Sequence, residues 1–168
     1  FAFGLKTYQR KRLLTFLDPA SDPTGAGWHA QQALFAIGSG RWTGKGYLLG
    51  TQNQLRYLPE HWTDFPFAVW AEEWGLVGCL AMLVCFLLLI LWSIYLANET
   101  RDRFARYLAI GCTSLLFWHT AINIGMVIGM APVVGVTLPL VSYGGSSLLT
   151  VMLTLGLLMN VSTRRYSY

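Results

Sequence analysis

The chain has 168 residues, of which 54% are hydrophobic and 12% are charged, and its formal net charge is +4. The charged fraction is about half that of an ordinary soluble domain, and long uncharged runs interrupt the sequence, which together exclude a soluble protein. The 3 cysteines lie inside these runs, and their spacing predicts neither a disulfide framework nor a metal site.

The chain before the first complete span is predicted to be the end of a membrane helix followed by an external loop. Residues 1–5 read like the frayed end of a preceding membrane helix, and because the chain starts without methionine we expect a C-terminal fragment. Residues 6–65 are predicted to form a large external loop, punctuated by Asp-Pro turn signals. Within it, apolar residues at helical spacing over residues 28–37 predict a short amphipathic helix on the membrane surface.

Three membrane-spanning helices are predicted, at residues 66–97, 107–130 and 146–162. Each contains an uncharged apolar run close to the about 20 residues that a helix needs to cross the hydrocarbon core. Arginines in the loop 98–106 and in the tail 163–168 place both segments in the cytoplasm, because basic residues in short loops favour that side.

The connection at residues 131–145 carries no charge and is broken by glycine and proline. Such backbone is tolerated at membrane depth only where protein buries it or water reaches it, so this connection is predicted to be external and partly re-entrant. The sequence therefore predicts an all-α polytopic membrane protein.

Basic residues are frequent in the external loop, which holds more than half of the chain's 12. Long segments cross the membrane regardless of charge, and the cluster at residues 6–12 is expected to contact lipid headgroups. Residues 38–46, GSGRWTGKG, surround Arg41 and Lys45 with glycines, as a phosphate nest would. The spacing matches no P-loop, and taken alone it favours a tight turn or close backbone packing.

Asp64 lies at the outer mouth of the first predicted span, because Pro66 suits the first position of that helix. Two interpretations stay open for it, a helix N-cap and an active-site carboxylate. Glu72 and Glu73 follow about two turns into the helix, and at least one is expected to line a cavity, since a carboxylate at that depth is costly elsewhere. Trp62, together with Trp70 and Trp74, suits an interfacial aromatic belt.

The pair His119 and Asn123, one turn apart in the second span, predicts an interhelical hydrogen bond. From Asn123 to Ser147 the chain reads NIGMVIGMAPVVGVTLPLVSYGGSS. This passage resembles the signature of the SEDS family, the RodA/FtsW/SpoVE proteins of shape, elongation, division and sporulation. The stretch GKGYLLGTQNQLRYLPEHWTDFPFAVWAEEWGLVG is similar to the family's large outer loop and next span. Its GTQNQ motif is closer to the RodA branch than to the FtsW branch.

The resemblance covers essentially the whole chain, as the C-terminal portion of a ten-span fold. Two positions depart from the family pattern, because Trp62 stands where members have histidine and Pro66 where they have isoleucine. Asp64 between them is retained, so the departures concern the fine structure around it.

The resemblance implies a peptidoglycan glycosyltransferase that polymerises lipid II at the outer face of the bacterial cytoplasmic membrane during cell elongation. The family's essential loop aspartate maps to Asp64, the expected general base. Lys45 and Arg41 are candidates to neutralise the pyrophosphate leaving group, with a divalent cation as a further candidate. A class B penicillin-binding protein is the implied partner, and no nucleic acid is expected. The residues predicted to bind substrate are Lys45, Arg41, Gln54, Glu60, Thr63, Glu73, Asn123 and Ser142, with no metal ligands.

Two other functions remain open. A lipid II flippase would use Glu72, Glu73 and Asn123 as a polar path through the bilayer. A non-catalytic scaffold would only dock a penicillin-binding protein on its apolar helix faces and would need no carboxylate.

Overall fold

The structure is a computed structural model that describes residues 12, 14–16, 25–50 and 63–164. The expectations for the preceding span at residues 1–5, for most of the basic cluster, and for Gln54, Glu60 and Trp62 lie outside the described residues. The described part contains helices and no strand, which confirms the predicted fold class. Its complete helices are α1 (Ala26–Gly40), α2 (Pro66–Glu99), α3 (Arg103–Val127) and α4 (Gly145–Arg164).

Three of these helices, α2, α3 and α4, are long and apolar enough to cross a membrane. Helix α2 has 34 residues, which corresponds to about 51 Å and exceeds the about 30 Å of a hydrocarbon core. It is broken at Gly75, whose φ of 65° and ψ of −161° are not helical. The part after the break, about 36 Å long, is sufficient to span the bilayer by itself.

The helix ends follow from local chemistry. Pro66 occupies the first turn of α2, where its missing N–H costs nothing. The Asp102 carboxylate caps α3 by accepting the N–H groups of Phe104 and Ala105 at 3.3 and 3.2 Å. Arg106 donates to the carbonyl of Thr100 at 2.9 Å and 3.2 Å, which closes the short turn between α2 and α3.

Two hydrophobic clusters hold the helices together. One joins α1, the first half of α2 and the end of α3, and small residues such as Ala33, Ala36 and Ala68 are completely buried there. Small side chains let helix backbones approach closely, as in many membrane bundles. The other cluster joins the second half of α2 with α3 and α4 around Leu96, Leu116 and Leu158. The helix predicted at residues 28–37 is thus present as the longer α1, packed on α2.

Candidate functional site

The loop at residues 41–46 is inserted into the break of α2. In an unbroken helix the N–H groups of Leu76 and Val77 would bond to the carbonyls four residues earlier. Here they donate instead to the carbonyls of Arg41 and Trp42, at 2.9 and 3.1 Å. The carbonyls of Glu72 and Glu73 in turn accept the N–H groups of Lys45 and Gly46, at 2.9 and 3.0 Å. The loop therefore supplies partners for the backbone groups of two helical hydrogen bonds that the break removes.

Glycine is required where the two backbones meet. Gly44 and Gly75 both have positive φ, 77° and 65°, which only glycine adopts without strain. A Cβ on Gly44 would overlap the backbone of Glu73, and one on Gly75 would overlap the backbone of Thr43 and Gly44. The close-packing interpretation of the glycine-rich loop is thereby confirmed at these positions.

A part-buried ion pair joins the loop to α2. Lys45 Nζ lies 2.7 Å from Oε1 of Glu72, whose side chain is completely buried. Ser39 Oγ lies 3.5 Å from the same oxygen, and the backbone of Gly50 packs against the carboxylate, since a Cβ there would lie 2.9 Å from Oε2. Glu72 therefore contacts residues before, within and after the inserted loop.

The predicted phosphate contacts lie around this ion pair. Arg41 is exposed at the start of the loop, whereas the ammonium of Lys45 is engaged with Glu72. Glu73 is 8% exposed and lies beside Gly50. Whether Arg41, Lys45 or Glu73 contacts a substrate stays a prediction, and Ser39 and Gly50 are members of the cluster that sequence reasoning missed.

Asp64 lies with Thr63 in the turn that leads into α2, and its side chain is half-buried. The N-cap of α2 is Phe65, and no side-chain hydrogen bond caps the helix. The N-cap interpretation of Asp64 is therefore wrong, because the turn places Phe65 and not Asp64 at the capping position. The carboxylate of Asp64 lies beside Gly135, where a Cβ would lie 3.2 Å from Oδ2.

Asn123 joins this turn to the passage between α3 and α4. Its Nδ2 donates to the carbonyl of Asp64 at 3.0 Å and to the carbonyl of Val136 at 2.6 Å. The expected interhelical hydrogen bond of Asn123 is thus replaced by bonds to two non-helical segments. Ser142, 7% exposed, accepts the N–H of Leu138 at 2.6 Å through its Oγ. In this structure both polar side chains organise the passage from inside; a substrate contact by either stays a prediction.

The structure thus brings the predicted residues together as two groups along α2. Asp64 and Thr63 stand with Asn123 at its start, and Lys45, Glu72 and Glu73 stand at the break, about 13 Å further along the helix. Within the described residues, no group of three or more His, Cys, Asp or Glu side chains could hold a metal ion.

Three helices long and apolar enough to span a membrane, with a carboxylate-bearing turn braced at the start of one, define a polytopic membrane protein with a built polar site. The family model for cell cycle proteins of the FtsW/RodA/SpoVE type matches residues 1–167, and the chain belongs to this family.

Named relatives agree with this membership. Peptidoglycan glycosyltransferase MrdB of Escherichia coli (strain K12) is 52% identical over 163 residues, which are 97% of this chain and 44% of MrdB. Peptidoglycan glycosyltransferase RodA of Treponema pallidum (strain Nichols) is 43% identical over 161 residues, 96% of this chain and 37% of that protein. The chain spans less than half the length of these relatives.

Solved structures carry the same fold. A chain from a study of how a peptidoglycan synthase complex coordinates polymerization and crosslinking superimposes with a TM-score of 0.78 at 36% identity, over 98% of this chain and 44% of that one. An aspartate-to-alanine mutant of the rod shape determining protein RodA from Thermus thermophilus gives a TM-score of 0.61 at 38% identity, over 73% of this chain and 38% of its own.

Proposed function

We propose that this chain forms the C-terminal part of a peptidoglycan glycosyltransferase that polymerises lipid II at the outer face of the bacterial cytoplasmic membrane. The names of MrdB and RodA support the reaction class. The observation that carries the proposal is the placement of Asp64. Its carboxylate does not cap α2, while its backbone is anchored to Asn123, so the side chain is available for chemistry on a fixed support.

The reaction requires one proton acceptor at this position. The acceptor sugar's hydroxyl oxygen bonds to the anomeric carbon of the donor, the bond from that carbon to the pyrophosphate oxygen breaks, and the hydroxyl proton passes to Asp64. A positioned general base contributes roughly 10²–10⁴-fold to such a step. The departing lipid pyrophosphate is already a good leaving group and needs neighbouring cations more than a protonating acid. Arg41, exposed at the start of the inserted loop, is the proposed source of such a charge.

The length of α2 supports the placement of this site above the bilayer. Because the part after Gly75 suffices to span the hydrocarbon core, we place the break near the outer interface, with Asp64 on the outer side of it. Trp70 and Trp74, whose stacked rings have centroids 5.4 Å apart, lie just before the break, at a depth suited to interfacial aromatics. The headgroup of a membrane-anchored sugar substrate occupies this same zone.

A class B penicillin-binding protein is the proposed partner, because a similar solved chain belongs to a complex that couples polymerization and crosslinking. The test is lipid II polymerisation by the purified full-length protein together with this partner. We expect glycan strands from the unmodified protein and essentially none after Asp64→Asn. Transport of lipid II across vesicles without polymerisation would instead identify a flippase, and support of the partner without either activity would identify a scaffold.

A further inference from the structure

Asn123 donates hydrogen bonds from its side-chain amide to two separate segments of the chain. The residue is completely buried, and its Nδ2 bonds at the same time to the carbonyls of Asp64 and Val136. The opposite orientation of the amide would press Oδ1 against two carbonyl oxygens, so these acceptors fix the orientation. Oδ1 itself has no hydrogen-bond partner among the described residues. A buried hydrogen-bond acceptor normally has a partner. Asn123 thus keeps its two donated bonds although its own Oδ1 is left without one among the described residues.

The passage that Asn123 holds lies directly against the carboxylate of Asp64. Gly135 precedes Val136 and has a φ of 76°, and a Cβ built on it would lie 3.2 Å from Asp64 Oδ2. Because real Cβ atoms rarely come so close, the missing side chain leaves the space that the carboxylate occupies. The backbone of Gly135 is thus one wall beside the proposed base.

The same passage makes two further hydrogen bonds, one to another part of the chain and one within itself. Arg12 Nη1 donates to the carbonyl of Val133 at 2.9 Å, and Ser142 Oγ accepts the N–H of Leu138 at 2.6 Å. Between these points, Asn123 bonds to Val136. The bonds from Arg12 and Asn123 tie this segment to two other parts of the chain, so it is a fixed reference against which a neighbouring side chain can be placed.

We propose that Asn123 and Gly135 are positioning residues that set the location of the Asp64 carboxylate. Asn123 ties the backbone of Asp64 to the rigid passage, and Gly135 shapes the space in which the carboxylate rests. The inference rests on the proposed role of Asp64 as general base. Positioning matters because a base must come within about 2.6–3.2 Å of its proton, and a displacement of about 1 Å can lower a rate by about 100-fold.

The first test compares two glycines with the same positive φ. Gly135 and Gly129 both have a φ of 76°, so alanine is strained at both positions. At Gly129 the new Cβ would meet only the Leu34 side chain at an ordinary 3.6 Å, whereas at Gly135 it meets Asp64. We expect Gly135→Ala to lower kcat for lipid II polymerisation roughly 3–10-fold with little change in KM, because Asp64 must shift by a few tenths of an ångström, and Gly129→Ala to retain near-normal kcat. Equal effects of the two substitutions would overturn the inference.

The second test removes the donors of Asn123. Asn123→Leu keeps the approximate volume and loses both bonds, and Thr120→Val is the matched control, because the buried Thr120 hydroxyl bonds only to its own helix at Leu116. We expect Asn123→Leu to lower kcat at least tenfold, and Thr120→Val to leave it unchanged. Binding of the partner and the thermal midpoint report folding; if Asn123→Leu does not fold, the glycine pair decides.

A double substitution separates the inference from the function on which it rests. If Asn123 acts through Asp64, adding Asn123→Leu to Asp64→Asn should not lower the residual turnover further. If Asn123→Leu lowers turnover by the same factor with Asp64 and with Asn at position 64, Asn123 has a general structural role. That result would overturn the positioning inference and leave the proposed role of Asp64 standing. Near-normal polymerisation by Asp64→Asn would overturn the proposed base, and with it the positioning role.

Discussion

Lys45 Nζ lies 2.7 Å from Oε1 of Glu72, and this pair joins a loop to the helix that the loop completes. Removing one partner of a buried pair leaves an uncompensated charge, which typically costs about 3–5 kcal/mol. Lys45 also stands as a candidate for pyrophosphate contact. The ion pair therefore has a structural role that must be separated from any role in substrate binding.

The first prediction separates these roles with a charge-neutral pair. Lys45→Gln alone should lower the free energy of unfolding by about 1–3 kcal/mol, because the buried Glu72 carboxylate loses the ammonium that lies 2.7 Å away. Lys45→Gln combined with Glu72→Gln should recover most of that loss, since two amides can bond to each other. Thermal unfolding in detergent measures both. If Lys45 contacts the pyrophosphate, the double variant should fold normally yet keep a raised KM for lipid II; an unchanged KM leaves Lys45 with the structural role only.

The second prediction concerns the break in α2. Gly75→Ala should strongly destabilise the protein, because the residue has a φ of 65° and its Cβ would overlap the inserted loop. Gly111→Ala in α3 is the control, since a Cβ there meets nothing within 4 Å and alanine favours a helix by about 1 kcal/mol. We expect Gly75→Ala to lower the thermal midpoint and Gly111→Ala to hold or raise it. Equal midpoints would show that the insertion does not stabilise the fold.

The third prediction tests the orientation in the membrane. In a background without native cysteines, Gln31→Cys in α1 should react with an impermeant thiol reagent in intact cells. Glu99→Cys at the end of α2 should react only after permeabilisation, because the neighbouring arginine loop is expected in the cytoplasm. Both side chains are exposed, so access to the reagent depends on the side of the membrane. Labelling of Glu99→Cys from outside would contradict the topology.

The fold class could be predicted from the sequence because long apolar runs and Pro66 are local signals. The break at Gly75 could not, since an isolated glycine in an apolar helix carries no turn signal. Its geometry depends on Arg41 and Trp42, more than thirty residues earlier in the chain. The sequence predicts only that at least one of Glu72 and Glu73 lines a cavity; the ion pair of Glu72 with Lys45 depends on how the loop folds onto α2.

The candidate site, too, could be predicted from the sequence only in part. Asp64 could be selected as a carboxylate at a helix mouth, yet the sequence left its capping role open because capping depends on a one-residue difference in where the helix begins. The support of Asp64 by Asn123 joins residues 59 positions apart. Such a contact follows from packing of α3 against the start of α2, which periodicity does not encode.

The last prediction concerns Asp64 itself. Asp64→Asn should preserve the fold, because the residue is anchored through its backbone carbonyl and its side chain does not cap α2. Asparagine is nearly isosteric but does not take up the proton of the acceptor hydroxyl, so general-base catalysis should fall by roughly 10²–10⁴-fold. We expect the variant to co-purify with the proposed transpeptidase partner, to keep a normal thermal midpoint and to make essentially no glycan from lipid II. Because asparagine is also uncharged, Asp64→Glu is a useful companion: it restores a carboxylate displaced by one methylene, and turnover between the two values is expected. Near-normal polymerisation by Asp64→Asn would mean that the proton goes elsewhere and that Asp64 is not the base.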